Sequence, residues 1–224
     1  LGGEATSGPF PIPALHDSAQ ARQTAYQAAL QAFAQKLDIS PPVGVPNLDD
    51  EHFIRPLYIQ MAALMALRGE RPQSAEGLPR ALVNHERRYW KRMLEVSGLC
   101  DGLAIERAGL LMTLSTLAKG IATEKMLEDV WDIPEQERDA FKQLFRALTP
   151  LYPDRQGLQG LRPDLIGEAL VAQSLLTERG LSLLDQILAS GASALRRSSL
   201  TVLARLLNDR EDLIAVVEEV LTRH

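Results

Sequence analysis

Apolar residues recur along most of the chain at the three-to-four-residue spacing of helices that bury one face. Tyr26, Leu30, Phe33 and Leu37 form such a stripe, which predicts a first helix from about Asp17 to Leu37. The stretch from Phe53 to Leu67 is nearly all apolar, so a second helix there is covered on most sides, with Asp49 or Asp50 as its cap. Leu78, Leu82, His85, Tyr89, Met93 and Val96 give a third stripe, predicting a helix over about 74–97. Its other side holds Arg80, Arg87, Arg88, Lys91 and Arg92.

After "GLCDG" (98–102) the pattern changes and the elements shorten. Helices are predicted at about 103–118, 123–131, 135–149 and 163–176, with Thr123 as an N-cap and Pro134 and Pro163 near first helical positions. In "DRQGLQGL" (154–161) turn residues surround isolated leucines, the pattern of a short two-stranded hairpin. Three helices, a hairpin and a closing helix make a winged-helix-like unit. The tail predicts helices at about 181–189, 192–207 and 210–222, punctuated by Gly180, Gly191 and Asn208. Segments this short and leucine-rich suggest stacked helical hairpins. The fold class is mainly α.

Composition narrows the picture. Hydrophobic residues make up 46% of the 224 positions and aromatics 5%, with Leu and Ala dominant, which again favours helix. A formal charge of −5 gives no global attraction to nucleic acid or anionic membrane. Cys100 is the single cysteine, which excludes an internal disulfide and a cysteine-based zinc site and fits a reducing cytoplasm. No apolar run approaches the ~20 residues of a membrane span, and nothing resembles a secretory signal. The start, "LGGEATSGPFPIP", lacks Met and reads as the interior of a longer polypeptide.

Catalytic signatures are missing. There is no phosphate loop, no G-x-G-x-x-G after a strand and no G-x-S-x-G elbow. "HERRYW" lacks the second histidine of a zinc helix. What remains is a repeated Arg-Pro pair, in "RPLYIQMAAL" (55–64) and "RPDLIGEALV" (162–171), each before an apolar helix. Proline suits the first helical position, but a cation beside the positive end of a helix is unfavourable. Either an anion sits between the arginine and the helix end, or the arginine points into water. At the second pair Asp164 offers Arg162 a local partner. Elsewhere, "NHERRYWKRML" combines cations with Tyr89 and Trp90, residue types that track phosphates and stack on bases. An amphipathic helix with a basic outer face is the commoner meaning. In the helix at 135–149, Glu135, Glu137 and Asp139 balance Arg138, Lys142 and Arg146 and crowd its N-terminal end, which disfavours DNA.

The order of "RPLYIQMAAL", "LVNHERRYW" and "GLRPDLIGEALVA" resembles the region downstream of the ATPase core in bacterial STAND-type NTPases, the NACHT/NB-ARC-like signalling switches. The likeness covers roughly residues 15–178. It implies a helical lid domain (15–98) and a winged-helix-like domain (99–178), with the tail (179–224) as the start of helical repeats; residues 1–14, rich in Gly, Pro and Ser, read as an extended linker. Pro56 matches the lid proline that lies against the nucleotide in that family, with Arg55 beside it. "Arg162-Pro163-Asp164-Leu165" occupies the place of its Met-His-Asp motif. Asp164 and Leu165 fit; Pro163 replaces the histidine that contacts the ADP β-phosphate, and Arg162 brings charge from the adjacent position. The implied function is the regulatory arm of a signalling NTPase, not an enzyme by itself. It would share ADP or ATP with an ATPase core upstream in the same polypeptide, respond to a protein ligand on distal repeats, and assemble as a homo-oligomer in the ATP state. The rival readings are a winged-helix DNA-binding regulator and a stand-alone helical scaffold for protein partners.

Overall fold

A computed structural model describes residues 18–70, 74–154 and 157–224. The linker expected at 1–14 lies outside the described residues. Among these residues the fold is mainly α: α1 (Ala19–Leu37), α2 (Pro56–Leu67), α3 (Gly77–Val96), α4 (Ala104–Ala118), α5 (Glu124–Val130), α6 (Glu135–Leu148), α7 (Asp164–Leu175), α8 (Glu178–Ala189), α9 (Ser193–Asp209) and α10 (Ile214–Leu221). Contacts divide the chain into two compact units, Leu1–Ala81 and Leu82–His224, and the division falls inside α3. Residues 98–102, the expected seam, form the turn between α3 and α4 within the second unit.

In the first unit α1 packs along α2. Ser18 caps α1 by accepting from the Ala21 N–H. Tyr26, Leu30 and Ala34 are its buried edge, so the stripe follows a strict four-residue step and leaves Leu37 37% exposed. The apolar run after Asp50 is broken. Asp50 accepts from the His52 N–H and caps a single 3₁₀ turn, Glu51–Ile54, before Pro56 starts α2. As its composition requires, α2 buries residues around most of its circumference, including Tyr58, Ile59, Met61 and Met65.

The second unit is built around α4, which packs against α6, α7, α8 and α9. Most of α4 is buried, and Trp131 meets Phe141 edge-on nearby in the sequence order, with ring centroids 4.5 Å apart. The predicted apolar stripe of α3 needs correction. Trp90 and Leu94 are fully buried, while Tyr89 is 38% and Val96 91% exposed. Trp90 wins over Tyr89 because its larger ring is buried and its indole N–H still finds an acceptor, the Tyr152 hydroxyl at 2.7 Å. That hydroxyl in turn donates to the Glu86 carboxylate.

The two-stranded hairpin expected at 154–161 is not confirmed. Among the described residues there are only isolated antiparallel bridges, Ile121 with Leu158 and Pro153 with Leu158. Ile121 and Leu158 exchange backbone hydrogen bonds of 2.8 and 2.9 Å, and Gln159 donates to the Tyr152 carbonyl. Glycine spacing shortens this segment: a Cβ on Gly160 would lie 2.6 Å from the Thr116 Cα, so the turn can lie directly on α4. Gly180 likewise does not punctuate the tail. It sits in the first turn of α8, capped by Thr177, where a Cβ would meet the Ser174 carbonyl oxygen at 2.0 Å.

Candidate functional site

Three elements of the second unit meet where α7 begins. The first is the C-terminus of α4. Lys119 follows it in the left-handed conformation (φ 59°), a position that favours glycine, and its N–H and that of Gly120 close the helix onto Thr116 and Ser115. The second is the turn at Gly157–Leu161, fixed by the Ser115 hydroxyl donating to the Leu158 carbonyl at 2.8 Å. The third is α9, which is tied to the end of α4 by Ser198 donating to the Leu117 carbonyl. Lys119, Arg162, Asp164 and Arg205 line a cavity of about 140 Å³ between them. At roughly 30 Å³ of liquid volume per water, that is room for several waters or one tetrahedral oxyanion.

The polar geometry is uneven. Asp164 opens α7, where a carboxylate suits the helix dipole. Arg205 bonds it at 3.0 Å and reaches Glu168 at 2.8 Å. Arg162 approaches Asp164 only at 3.4 Å, with its side chain 63% exposed. Glu168 has its side chain only 11% exposed, and burial pushes its carboxyl above the ordinary value despite the opposing charge of Arg205. Lys119 makes no ion pair among the described residues. Pro163 is the N-cap of α7 rather than its first residue, and it supplies no side-chain cap.

The other Arg-Pro pair belongs to the first unit. Pro56 is the first residue of α2, as predicted, and Arg55 is its exposed N-cap without a side-chain capping bond. Arg162 and Asp164 thus share one cavity in the second unit, while Arg55 and Pro56 stand at a separate helix start in the first. Lys119 and Arg205 were missed by sequence reasoning. "AKGI" reads as an ordinary helix end, and Arg205 is 41 residues from Asp164, with no local signal joining them.

Charged residues singled out on α6 are paired with neighbouring side chains. Along α6, Lys142 pairs with Glu128 and Arg146 forms two bonds to Glu124. Glu137, at the N-terminal end, is gripped by Arg107 and Arg179. On α3 the candidate stacking residue Trp90 is buried. Among the described residues, no group of three or more His, Cys, Asp or Glu is placed to hold a metal ion, and no helix is long and apolar enough to cross a membrane. Comparison with family models, with curated proteins and with solved structures finds no match.

Proposed function

We propose that this chain is the regulatory arm of a STAND-type signalling NTPase, with the cavity at the start of α7 as its phosphate-responsive end. The observation that carries the reading is the gathering of Lys119, Arg162 and Arg205 around a space of oxyanion size at a helix N-terminus, with Asp164 as the internal counter-ion. A phosphate entering there competes with Asp164 for Arg162, whose existing bond is long and exposed. That competition gives two states with different contacts to the nucleotide, which any ligand-driven switch requires. The element order around it also supports the reading: α4, the Ile121 bridge, α5, α6, the turn closing on Leu158, then α7. ADP or ATP would be shared with an ATPase core of the same polypeptide, and by the resemblance Arg55 and Pro56 are further candidate nucleotide contacts. The test is ADP retention by the polypeptide purified at its native length from source cells. Arg162→Ala and Arg55→Ala should each lower the bound ADP per chain. Unchanged ADP in both variants would sink the proposal.

A DNA-binding regulator is the weaker alternative, because the cations of α6 are already taken by neighbouring carboxylates.

A further inference from the structure

The last two helices present exposed faces of opposite charge. On α9 the buried edge is Leu195, Ser199, Val202, Leu203 and Leu206. The opposite side follows the helical step through Arg196, Arg197, Leu200, Thr201 and Ala204, all of them exposed. Leu200 is 43% exposed, and the helical step sets it between the two arginines. Ala204, one turn further on, is small, so a helix laid on this face comes close to the backbone. No carboxylate lies on the stripe. The Arg196 and Arg197 side chains make no hydrogen bond or ion pair among the described residues. Arg205 on the same helix differs, because Asp164 and Glu168 hold it.

The converse pattern runs along α10 and the 3₁₀ turn before it, Glu211–Leu213. Leu213, Val217 and Val220 are buried there. Glu211, Ile214, Glu218 and Leu221, at steps of three and four, face solvent. Ile214 is 36% and Leu221 37% exposed. The stripe carries no cation. The Glu211 and Glu218 carboxylates make no hydrogen bond or ion pair among the described residues. Their neighbours Asp212 and Glu219 are taken by Arg210 and Arg223.

A charged, exposed helix face is ordinary by itself. Here two such faces match. One sets unused guanidiniums around an exposed leucine, and the other sets unused carboxylates around an exposed isoleucine and leucine. No ion pair joins them within the chain, so pairing the stripes takes two molecules. The contact would use a different face of each copy, which leaves every copy with one face open to the next.

We propose that copies of this chain associate head to tail, with the α10 stripe of one seated on the α9 stripe of the next. Ile214 and Leu221 would lie over Leu200 and Ala204, and Glu211 and Glu218 would meet Arg196 and Arg197. Two short helices cover less than the roughly 800 Å² per partner of a standard interface, so the contact is weak and shows at high concentration. It needs no nucleotide and uses neither Arg55 nor Arg162, so its failure and that of the nucleotide reading are separate results.

The test is sedimentation equilibrium of the full chain, without nucleotide, as its concentration is raised from the micromolar into the millimolar range. The apparent mass should rise above the 24.7 kDa of one chain. About 0.5 M NaCl should suppress the rise, since the charges at the contact are exposed. Arg196→Glu with Arg197→Glu makes both stripes acidic, and Glu211→Arg with Glu218→Arg makes both basic. All four positions are exposed, so the thermal midpoint should hold. Each double variant alone should associate about tenfold or more weakly. An equal mixture of the two should recover association, because each α9 stripe again meets an α10 stripe of opposite sign. A wild type that stays monomeric throughout, association that either double variant leaves unchanged, or a mixture as weak as its parts would overturn the assignment.

Discussion

Two clusters of arginines and carboxylates in the second unit use the same chemistry to opposite ends. At the start of α6, Glu137 lies between Arg107 at 3.1 Å and Arg179 at 2.6 Å, and Arg107 also bonds Asp101 at 2.6 Å. The Arg107 and Glu137 side chains are only 10% and 15% exposed. At the start of α7, Arg162 is 63% and Arg205 43% exposed, the Arg162–Asp164 bond is 3.4 Å long, and Lys119 makes no ion pair among the described residues. The first cluster is closed: its charges are satisfied and shielded, so a solute has nothing to gain there. The second is open, and an anion can displace an existing contact at little loss. Counting cations along the sequence does not separate them. Burial and bond length do.

The titration of the two buried acids expresses the same contrast. Burial alone would raise the Glu137 carboxyl, but the hydrogen bonds from Arg179 and Arg107 outweigh it and hold the group below its ordinary value of 4.5. For Glu168, burial outweighs the single guanidinium and the carboxyl is raised.

The comparison breaks first at Glu137. Glu137→Ala strands two cations, one of them mostly buried, and should lower unfolding stability by about 2–3 kcal/mol at neutral pH, read from urea denaturation. Because the folded carboxyl is depressed, its contribution is present above about pH 4.5 and is lost as pH falls through the lower folded value. The gap between wild type and Glu137→Gln should therefore narrow in acid. A gap that widens in acid would mean the cluster is not what holds α6.

Arg205→Ala should cost less, about 1–2 kcal/mol at neutral pH, since it leaves Glu168 buried without its guanidinium. Here the sign reverses. A raised folded carboxyl takes up its proton early, so the folded state gains stability as pH falls through that raised value. The penalty of Arg205→Ala should shrink at a higher pH than that of Glu137→Gln. Arg162→Ala is the smallest change, about 0.5 kcal/mol or less, because its pair is exposed and long. A large loss of stability at Arg162 would make it a structural residue and remove the open cluster.

Much of the helical framework was legible before the structure. The Tyr26–Leu30 step, the apolar run of α2 and the Thr123 cap each act within one or two turns, and local patterns record local physics. Longer-range choices were not legible. Whether Tyr89 or Trp90 is buried depends on Tyr152, 62 residues from Trp90. The hairpin expected at 154–161 depends on a partner 37 residues away as well: among the described residues Leu158 forms isolated bridges with Ile121 and with Pro153. Half of the candidate site, Arg162 and Asp164, followed from one dipeptide at a helix start. The other half, Lys119 and Arg205, comes from helices that only the packing of α4, α7 and α9 brings together.

The most direct measurement follows the arginine Nε–H resonances of the protein during a titration with inorganic pyrophosphate. The account predicts saturable shifts at Arg162 and Arg205, with Arg107 and Arg179 unmoved. Shifts of equal size at all four arginines, or none at Arg162 and Arg205, would contradict the distinction between the open and the closed cluster on which the functional reading stands.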